Sequence, residues 1–509
     1  MSESQGKIIS LTYHEITADP RVLKQARVLQ KAGYKVHVFC DWSKGMPQHD
    51  DIDGVEITRF RCYHPSGVTR EAFEEMTFLK RSRDEIARRY LPYAAACERL
   101  ENARPFLEKR FGPNVIDRAQ SLYFKRSSGS ERRRRMFEYF YLNLRLRYLR
   151  VPAGNAASEA GTQARGVDLV SYRNLRRQLF QAESIAFASN FPALDTAEKV
   201  KAVHAHDLYC LPAGVMLSRK LGVPLVYDAH EYEPARASKM DKGALRLPEF
   251  LEDDCFAHVS RIITVSDGIG ELYAERFPGP APTIIMNAPE VDAGASGGTG
   301  SEVRTIREMA GLAEDVPLIV FTGLILGEQR GIDKLLEAMT LLPSAHFVSL
   351  GSRVPKADKW LLTLAEQFGV RERVTLLPPV DAREVPAVLR SATVSIAPIQ
   401  DASLSYRYCM PNKLFEAAFA RIPICVSDLP EMKRFVERLG IGRVMDQTDP
   451  KSIAAALQNV FDNRSDYLMG PRAEKVLLET YSWQAQSEKL LALYSDLVGA
   501  PATDGSAAR

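Results

Sequence analysis

KIISLTYHEITADPRVLKQARVLQKAGYKVHVFCD, residues 7–41, reads as strand, helix, strand. Its middle carries Val22, Leu23, Ala26, Leu29 and Gln30 at near-helical spacing and stops at Gly33, a residue suited to closing a helix. The alternation returns as KAVHAHD (201–207), a helix through LPAGVMLSRKLG (211–222), strand VPLVYDAH (223–230), a helix through LPEFLEDDCFAHVS (247–260) and strand RIITVS (261–266). Short Val- and Ile-rich runs separated by helices predict a parallel sheet covered on both faces.

Residues 291–302, VDAGASGGTGSE, are almost all small or polar and read as a linker. Beyond them the pattern restarts with strands VPLIVFTG, AHFVSLGS, RVTLLPPV, ATVSIAPI and IPICVSD between helical stretches. The fold class is therefore α/β, with two Rossmann-like lobes flanking a linker. Ligands of such folds sit beyond the carboxyl ends of the strands. Residues 66–192 break the rhythm: they are helical, basic and aromatic, and read as an insertion in the first lobe, whose two parts are 1–65 and 193–290.

Composition narrows the function classes. A chain with 45% hydrophobic and 26% charged residues is neither disordered nor a coiled coil, and a net charge of +3 is too balanced for a protein that wraps nucleic acid. Seven scattered cysteines without a C-x-x-C pair fit reduced thiols in the cytoplasm. The start of the chain lacks the features of a signal peptide, and no apolar run reaches the roughly 18 residues of a membrane span. Any membrane role is then peripheral, at the inner face. The stretch 125–150 is a candidate for it, with nine Lys/Arg against Glu131 and Glu138, and Phe137, Phe140, Tyr141, Leu144 and Tyr148 along one helical face. The alternative is a helix that packs this aromatic face on the lobe and turns its arginines outward.

The densest chemistry lies in CMPNKLFEAA (409–418), followed by RIPICV (421–426). Proline suits a first helical turn, so a helix is expected to begin near Pro411 with its positive dipole end exposed. Lys413 adds a full charge there, and Glu416, three residues on, faces the same side. A phosphate at the helix end and a carboxylate one turn deeper, accepting from two sugar hydroxyls, would cradle a nucleotide diphosphate. An ordinary surface ion pair between the two has the same spacing.

This segment resembles the donor-binding helix of retaining glycosyltransferases of the GT-B fold, family 4 (group 1 type), whose members carry P-N-K-L-F-E ahead of a small-residue helix. DPRVLKQARVLQKAGYKVHVF, VHAHDLYCLPAG (203–214), VPLVYDAHE (223–231), IITVSDGIGELY (262–273), IIMNAPE (284–290), FTGLILGEQRGIDKLLEAM (321–339) and YSWQAQSEKLLALY (481–494) resemble the same proteins. The resemblance covers both lobes and leaves out most of the insertion. It implies a nucleotide-sugar-binding lobe over 303–480, a helix at 481–498 crossing back to the first lobe, and a disordered tail at 499–509. It implies transfer of a sugar from a nucleotide diphosphate sugar to a sugar, lipid-linked sugar or other hydroxyl acceptor, in cell-envelope polysaccharide or glycolipid synthesis. Glu416 then holds the nucleotide ribose, with Asn412, Gly323 and Gly331 around the donor. Arg330 and Lys413 face the diphosphate, His206 lines the sugar pocket, and His230, Glu231, Asp19 and Arg21 lie where sugar or acceptor approaches.

The sequence also departs from that family. Members commonly carry a glutamate eight residues before the position of Glu416, and here it is Tyr408. The glycine that usually ends the donor helix is Arg421, and no arginine follows Gly323. Asp51-Ile52-Asp53 spells a D-x-D, but Gly54 follows it, which favours a turn between strands over a metal motif. No zinc spacing is present, His204 and His206 being neighbours on one strand, and no G-x-G-x-x-G marks a nicotinamide enzyme. The expectation is a metal-independent enzyme without a cofactor and without a nucleic-acid partner. Two other readings remain open: a non-hydrolysing sugar-nucleotide epimerase of the same fold, and a catalytically silent nucleotide-binding scaffold.

Overall fold

A computed structural model describes residues 6–43, 45–62, 64–111, 182–194, 199–236, 246–290 and 303–499, together with residues 175 and 179. The chain divides into two compact units, Met1–Tyr227 with Asp241–Ser260, and Asp228–Met240 with Arg261–Arg509. The basic stripe at 125–150 and the linker at 291–302 lie outside the described residues, as does the tail beyond 499.

One sheet has eight strands: β1 (Lys7–Leu11), β2 (Lys35–Asp41), β3 (His49–Ile52), β4 (Val55–Phe60), β5 (Val200–His206), β6 (Leu225–Ala229), β7 (Arg261–Thr264) and β8 (Thr283–Ile284), in the order β3-β4-β2-β1-β5-β6-β7-β8. β1 lies parallel between β2 and β5, with Ile8 opposite Val36 and Ile9 opposite Val203. All three of its central residues are buried, as a strand covered on both faces requires. β3 is antiparallel to β4, and the Asp53–Gly54 turn between them holds positive φ at both residues, 56° and 81°. That turn accounts for the D-x-D.

In the region read as an insertion, the described parts are helical: Arg70–Glu74, Arg83–Phe111 and Glu183–Ser189. The Asp254 carboxylate anchors the approach to the long helix by accepting backbone N–H bonds from Lys80, Arg81 and Ser82 at 2.8, 2.9 and 2.9 Å. The Asp207–Leu221 helix lies close on the sheet of the first unit. A Cβ on Gly214 would come within 2.9 Å of Leu225 and 3.0 Å of Ala205, so only a glycine permits that approach.

The six-stranded sheet of the second unit runs β11-β10-β9-β12-β13-β14, where β9 is Leu318–Thr322, β10 His346–Leu350, β11 Val374–Leu377, β12 Val394–Ala397, β13 Ile424–Ser427 and β14 Gly442–Met445. Neighbouring strands are parallel throughout. Phe321, Leu335, Leu336, Phe347, Leu361 and Leu457 form much of its core, with helices Ile332–Ala338, Pro355–Gln367 and Pro450–Asp462 supplying the covering side chains. The Trp483–Val498 helix meets residues just after β8, where the Gln486 side chain accepts from the backbone N–H of Met286 at 3.0 Å.

Candidate active site

In the second unit, the carboxyl end of β9 and the start of the Asn412–Ala420 helix bring four predicted donor residues to one place. The helix forms because NKLFEAAFA buries Leu414, Phe415, Ala417 and Ala418 on one side. Pro411 is not its first turn but its cap, with φ −70° and ψ 144°, so the helical geometry begins at Asn412. The Asn412 side chain accepts from Asn287 Nδ2 at 3.1 Å.

Lys413 is only 7% exposed, and its Nζ sits 4.5 Å from the centre of the Phe321 ring. Burial, with Arg330 as a second cation nearby, pulls its ammonium down to about 8, against the pull of Glu416 and Cys409. Glu416 accepts a hydrogen bond from the Thr322 hydroxyl at the end of β9. Burial raises its carboxyl above the usual range, opposed by the Thr322 bond and by Lys413. The surface ion-pair reading of Lys413 and Glu416 therefore fails, because Lys413 is withdrawn from water and the half-buried Glu416 is tied to Thr322.

Arg330 ends the Glu328–Arg330 turn, with its guanidinium 5.6 Å from the centre of the Tyr406 ring. Gly331, at φ 68°, lets the chain turn from there into the Ile332–Ala338 helix; a Cβ would lie 1.8 Å from the Pro398 carbonyl oxygen. Gly323 also has positive φ, 101°. Cys409 lies near enough to feel Lys413, Arg330 and Glu231, and burial pushes its thiol up to about 12. Glu231 thus joins this group, and its carboxylate pairs with Arg236 at 2.9 Å. His230 Nε2 lies 3.5 Å from an Asp228 oxygen.

The remaining predicted residues belong to the first unit. His206 ends β5 and caps the Asp207–Leu221 helix, 1% exposed and stacked on His204 with ring centres 4.2 Å apart. Asp207 follows at φ 61°, a left-handed conformation that costs a non-glycine residue roughly 1–2 kcal/mol and is found where a site imposes it. Asp19 caps the Pro20–Lys31 helix without a side-chain bond to it, and both Asp19 and Asp207 act on Cys210. Arg21 is 3% exposed, so it is packed within the unit rather than offered at its surface. Tyr13 stacks on Tyr209 at 4.3 Å.

Residues 316–463 match the family model described as glycosyl transferases group 1, and residues 125–288 the model described as glycosyl transferase 4-like domain. The chain is a group 1 glycosyltransferase. Among its relatives, a D-inositol 3-phosphate glycosyltransferase of Xylanimonas cellulosilytica is 25% identical over 311 residues, spanning 58% of this chain and 71% of that protein. One of the same description from Thermobifida fusca is 26% identical, over 58% and 69%. The structure of a sucrose-phosphate synthase from Thermosynechococcus elongatus covers 97% of this chain and 99% of its own with a TM-score of 0.61 at 13% identity. That likeness is one of fold, and the fold is GT-B.

In this glycosyltransferase Tyr408 serves packing. Its ring lies where a Cβ on Gly268 would be, 2.2 Å away, and its carbonyl accepts from Ser266 Oγ at 2.6 Å. Thr322 and Tyr406 stand beside Glu416 and Arg330 yet escaped the sequence reading. Thr322 is the last residue of β9, directly before the glycine, and a hydroxyl at a strand's carboxyl end was the available signal.

Proposed function

We propose that this glycosyltransferase takes a nucleotide diphosphate sugar as donor and passes the sugar, with retention at the anomeric carbon, to a hydroxyl acceptor in the synthesis of a cell-envelope polysaccharide or glycolipid. The observation that carries the reading is a buried lysine in the first turn of one helix and a partly buried, hydroxyl-tethered glutamate one turn on, with an arginine beside them. A cation held out of water at a helix N-terminus gains most from a dianionic ligand. The Glu416 carboxylate one turn deeper is suited to accept from the two ribose hydroxyls.

As the bond between the anomeric carbon and the leaving oxygen breaks, its electron pair goes to the diphosphate. Arg330, Lys413 and the first backbone N–H groups of the helix stabilise that growing charge. The acceptor oxygen bonds to the same face of the sugar, and its proton passes to a phosphate oxygen of the leaving group. No metal ion or cofactor enters this scheme. Glu231 and His230 are assigned to the sugar and acceptor. The related fold of HepE from Anabaena has been crystallised with UDP and glucose, which supports a nucleotide sugar here. The basic stretch at 125–150 would bring the enzyme to a lipid-linked acceptor at the cytoplasmic membrane face.

A thermal-shift panel of UDP-, ADP- and GDP-sugars tests the proposal, since only ligands of the folded state raise the midpoint. One donor class is expected to do so in the wild type and not in Glu416→Ala, and NMR of the product is expected to show the donor's anomeric configuration. An epimerised nucleotide sugar formed without acceptor would instead mark an epimerase, and nucleotide binding with neither transfer nor hydrolysis a silent scaffold.

A further inference from the structure

The first unit contains a cavity of about 630 Å³ that the transfer chemistry does not use. Its walls come from the Asp207–Leu221 helix, the end of the Glu183–Ser189 helix with the residues after it, and Glu75 and Phe78. Most of the lining residues are apolar. Small side chains at Ala188 and Ala213 leave the space open, and Phe191 forms a fixed wall, its ring 4.9 Å from that of Phe39 and 5.7 Å from that of Phe60.

The charged residues of the lining are Glu75, Arg219 and Lys220. On the Phe78 side, His258 packs edge-on to that ring at 6.0 Å. Burial and then the positive charges of Arg219 and Lys80 lower the pKa of its imidazole, so Lys80 adds to the positive charge on this side of the unit. Among the described residues Lys80, Arg219 and Lys220 have no ion-pair partner. Arg219 makes only a long bond to the Thr77 hydroxyl, 3.4 Å. Arg219 and Lys220 also suit the negative end of their helix, but that does not explain the apolar space beside them. Arg219 lies thirteen residues beyond His206 along one helix, about 20 Å at 1.5 Å per residue, so this cavity is separate from the strand-end group of the same unit.

We propose that this cavity binds an anionic membrane lipid, one alkyl chain entering between Phe78, Phe191 and Leu217 while the phosphate headgroup meets Arg219 and Lys220. At about 30 Å³ per water-sized group the space holds up to roughly twenty such groups, the scale of one alkyl chain. A largely apolar slot beside Arg219 and Lys220 fits a phosphate-headed chain better than a neutral ligand, which would leave the cations idle, or a free anion, which would leave the slot empty.

The test uses the full-length protein and dodecyl phosphate below its micelle concentration, with inorganic phosphate and dodecyltrimethylammonium as separate probes, followed by calorimetry and thermal midpoint. Dodecyl phosphate is expected to bind at least tenfold more tightly than either. Ala193→Trp, which fills the exposed edge of the cavity, and the double variant Arg219→Glu/Lys220→Glu are each expected to weaken it at least tenfold while nucleotide-sugar binding stays unchanged. Flotation with phosphatidylcholine vesicles carrying phosphatidylglycerol is expected to fall in the same variants. Equal binding of inorganic phosphate or of the cationic amphiphile, or full affinity in Ala193→Trp, overturns the proposal. Loss of dodecyl phosphate binding without loss of flotation overturns the membrane lipid as occupant. If Ala193→Trp fails to fold by circular dichroism, Met216→Trp takes its place with the same two outcomes.

Discussion

Two helices of this protein start at the carboxyl end of a parallel strand, and they start differently. Asn412–Ala420 opens from an unstrained proline cap, draws a lysine out of water in its first turn and holds a half-buried glutamate one turn on. Asp207–Leu221 opens from a buried, stacked histidine and a left-handed aspartate. The first arrangement holds charge against desolvation, which a charged ligand relieves. The second holds backbone shape. An electrostatic site should be sensitive to removal of any one charge and to pH, whereas a shape-held site should respond mainly to changes in the backbone.

The largest effects are therefore expected at the first helix. Lys413→Ala removes a cation from the leaving diphosphate and should lower kcat by about 10²–10³, the scale seen when one preorganised stabilising group is lost. Glu416→Ala should weaken donor binding by about two orders of magnitude, since charge-assisted hydrogen bonds contribute roughly 1.5–3 kcal/mol each. Calorimetry with the donor and steady-state kinetics separate the two, and wild-type behaviour in both variants would remove the site assignment.

The pH profile sharpens the same contrast. Donor binding needs Lys413 protonated, and in the empty site its ammonium is held down to about 8. Affinity should be full below that value and fall as pH rises through it. Lys413→Arg, always charged, should abolish this alkaline limb even if it binds more weakly. At the acid end binding needs Glu416 ionised, and its pKa is raised, so affinity should fall below a pH higher than an ordinary glutamate would give. Thr322→Val keeps the shape and removes the hydroxyl that favours the carboxylate. It should move the acid limb further up and cost about tenfold in affinity. Calorimetric titrations across pH measure both limbs, and a flat alkaline limb in the wild type would mean that Lys413 does not meet the donor.

These contrasts also explain what the sequence revealed. The alternation of Val- and Ile-rich runs with helices made both sheets legible, and P-N-K-L-F-E marked the donor helix. β14 passed unread because GRVM is four residues long and begins with glycine, too short for a period to show. Thr322 and Tyr406 passed unread because their roles depend on what lies opposite them in space: a hydroxyl reaching Glu416 and a ring beneath Arg330. The strain at Asp207 has no sequence signal at all, since aspartate is ordinary at a helix start.

The smallest effects are expected at the far ends of the two helices. Both end in a left-handed residue, Gly222 at φ 67° and Arg421 at φ 58°. The sequence departure at Arg421 thus keeps the conformation that glycine adopts without penalty and carries its cost. Arg421 offsets part of it through an ion pair with Glu474, in which both side chains are substantially exposed. Such pairs contribute about 0–1 kcal/mol. Releasing a left-handed residue gains roughly 1–2 kcal/mol. Arg421→Gly should therefore raise stability by about 1 kcal/mol in denaturant titration, with donor affinity unchanged. Gly222→Ala should lower it by a similar amount, because nothing within 4 Å obstructs a Cβ there and the penalty is the backbone's alone. Unequal magnitudes would measure what the Glu474 pair contributes, and a destabilised Arg421→Gly would show the ion pair to outweigh the strain.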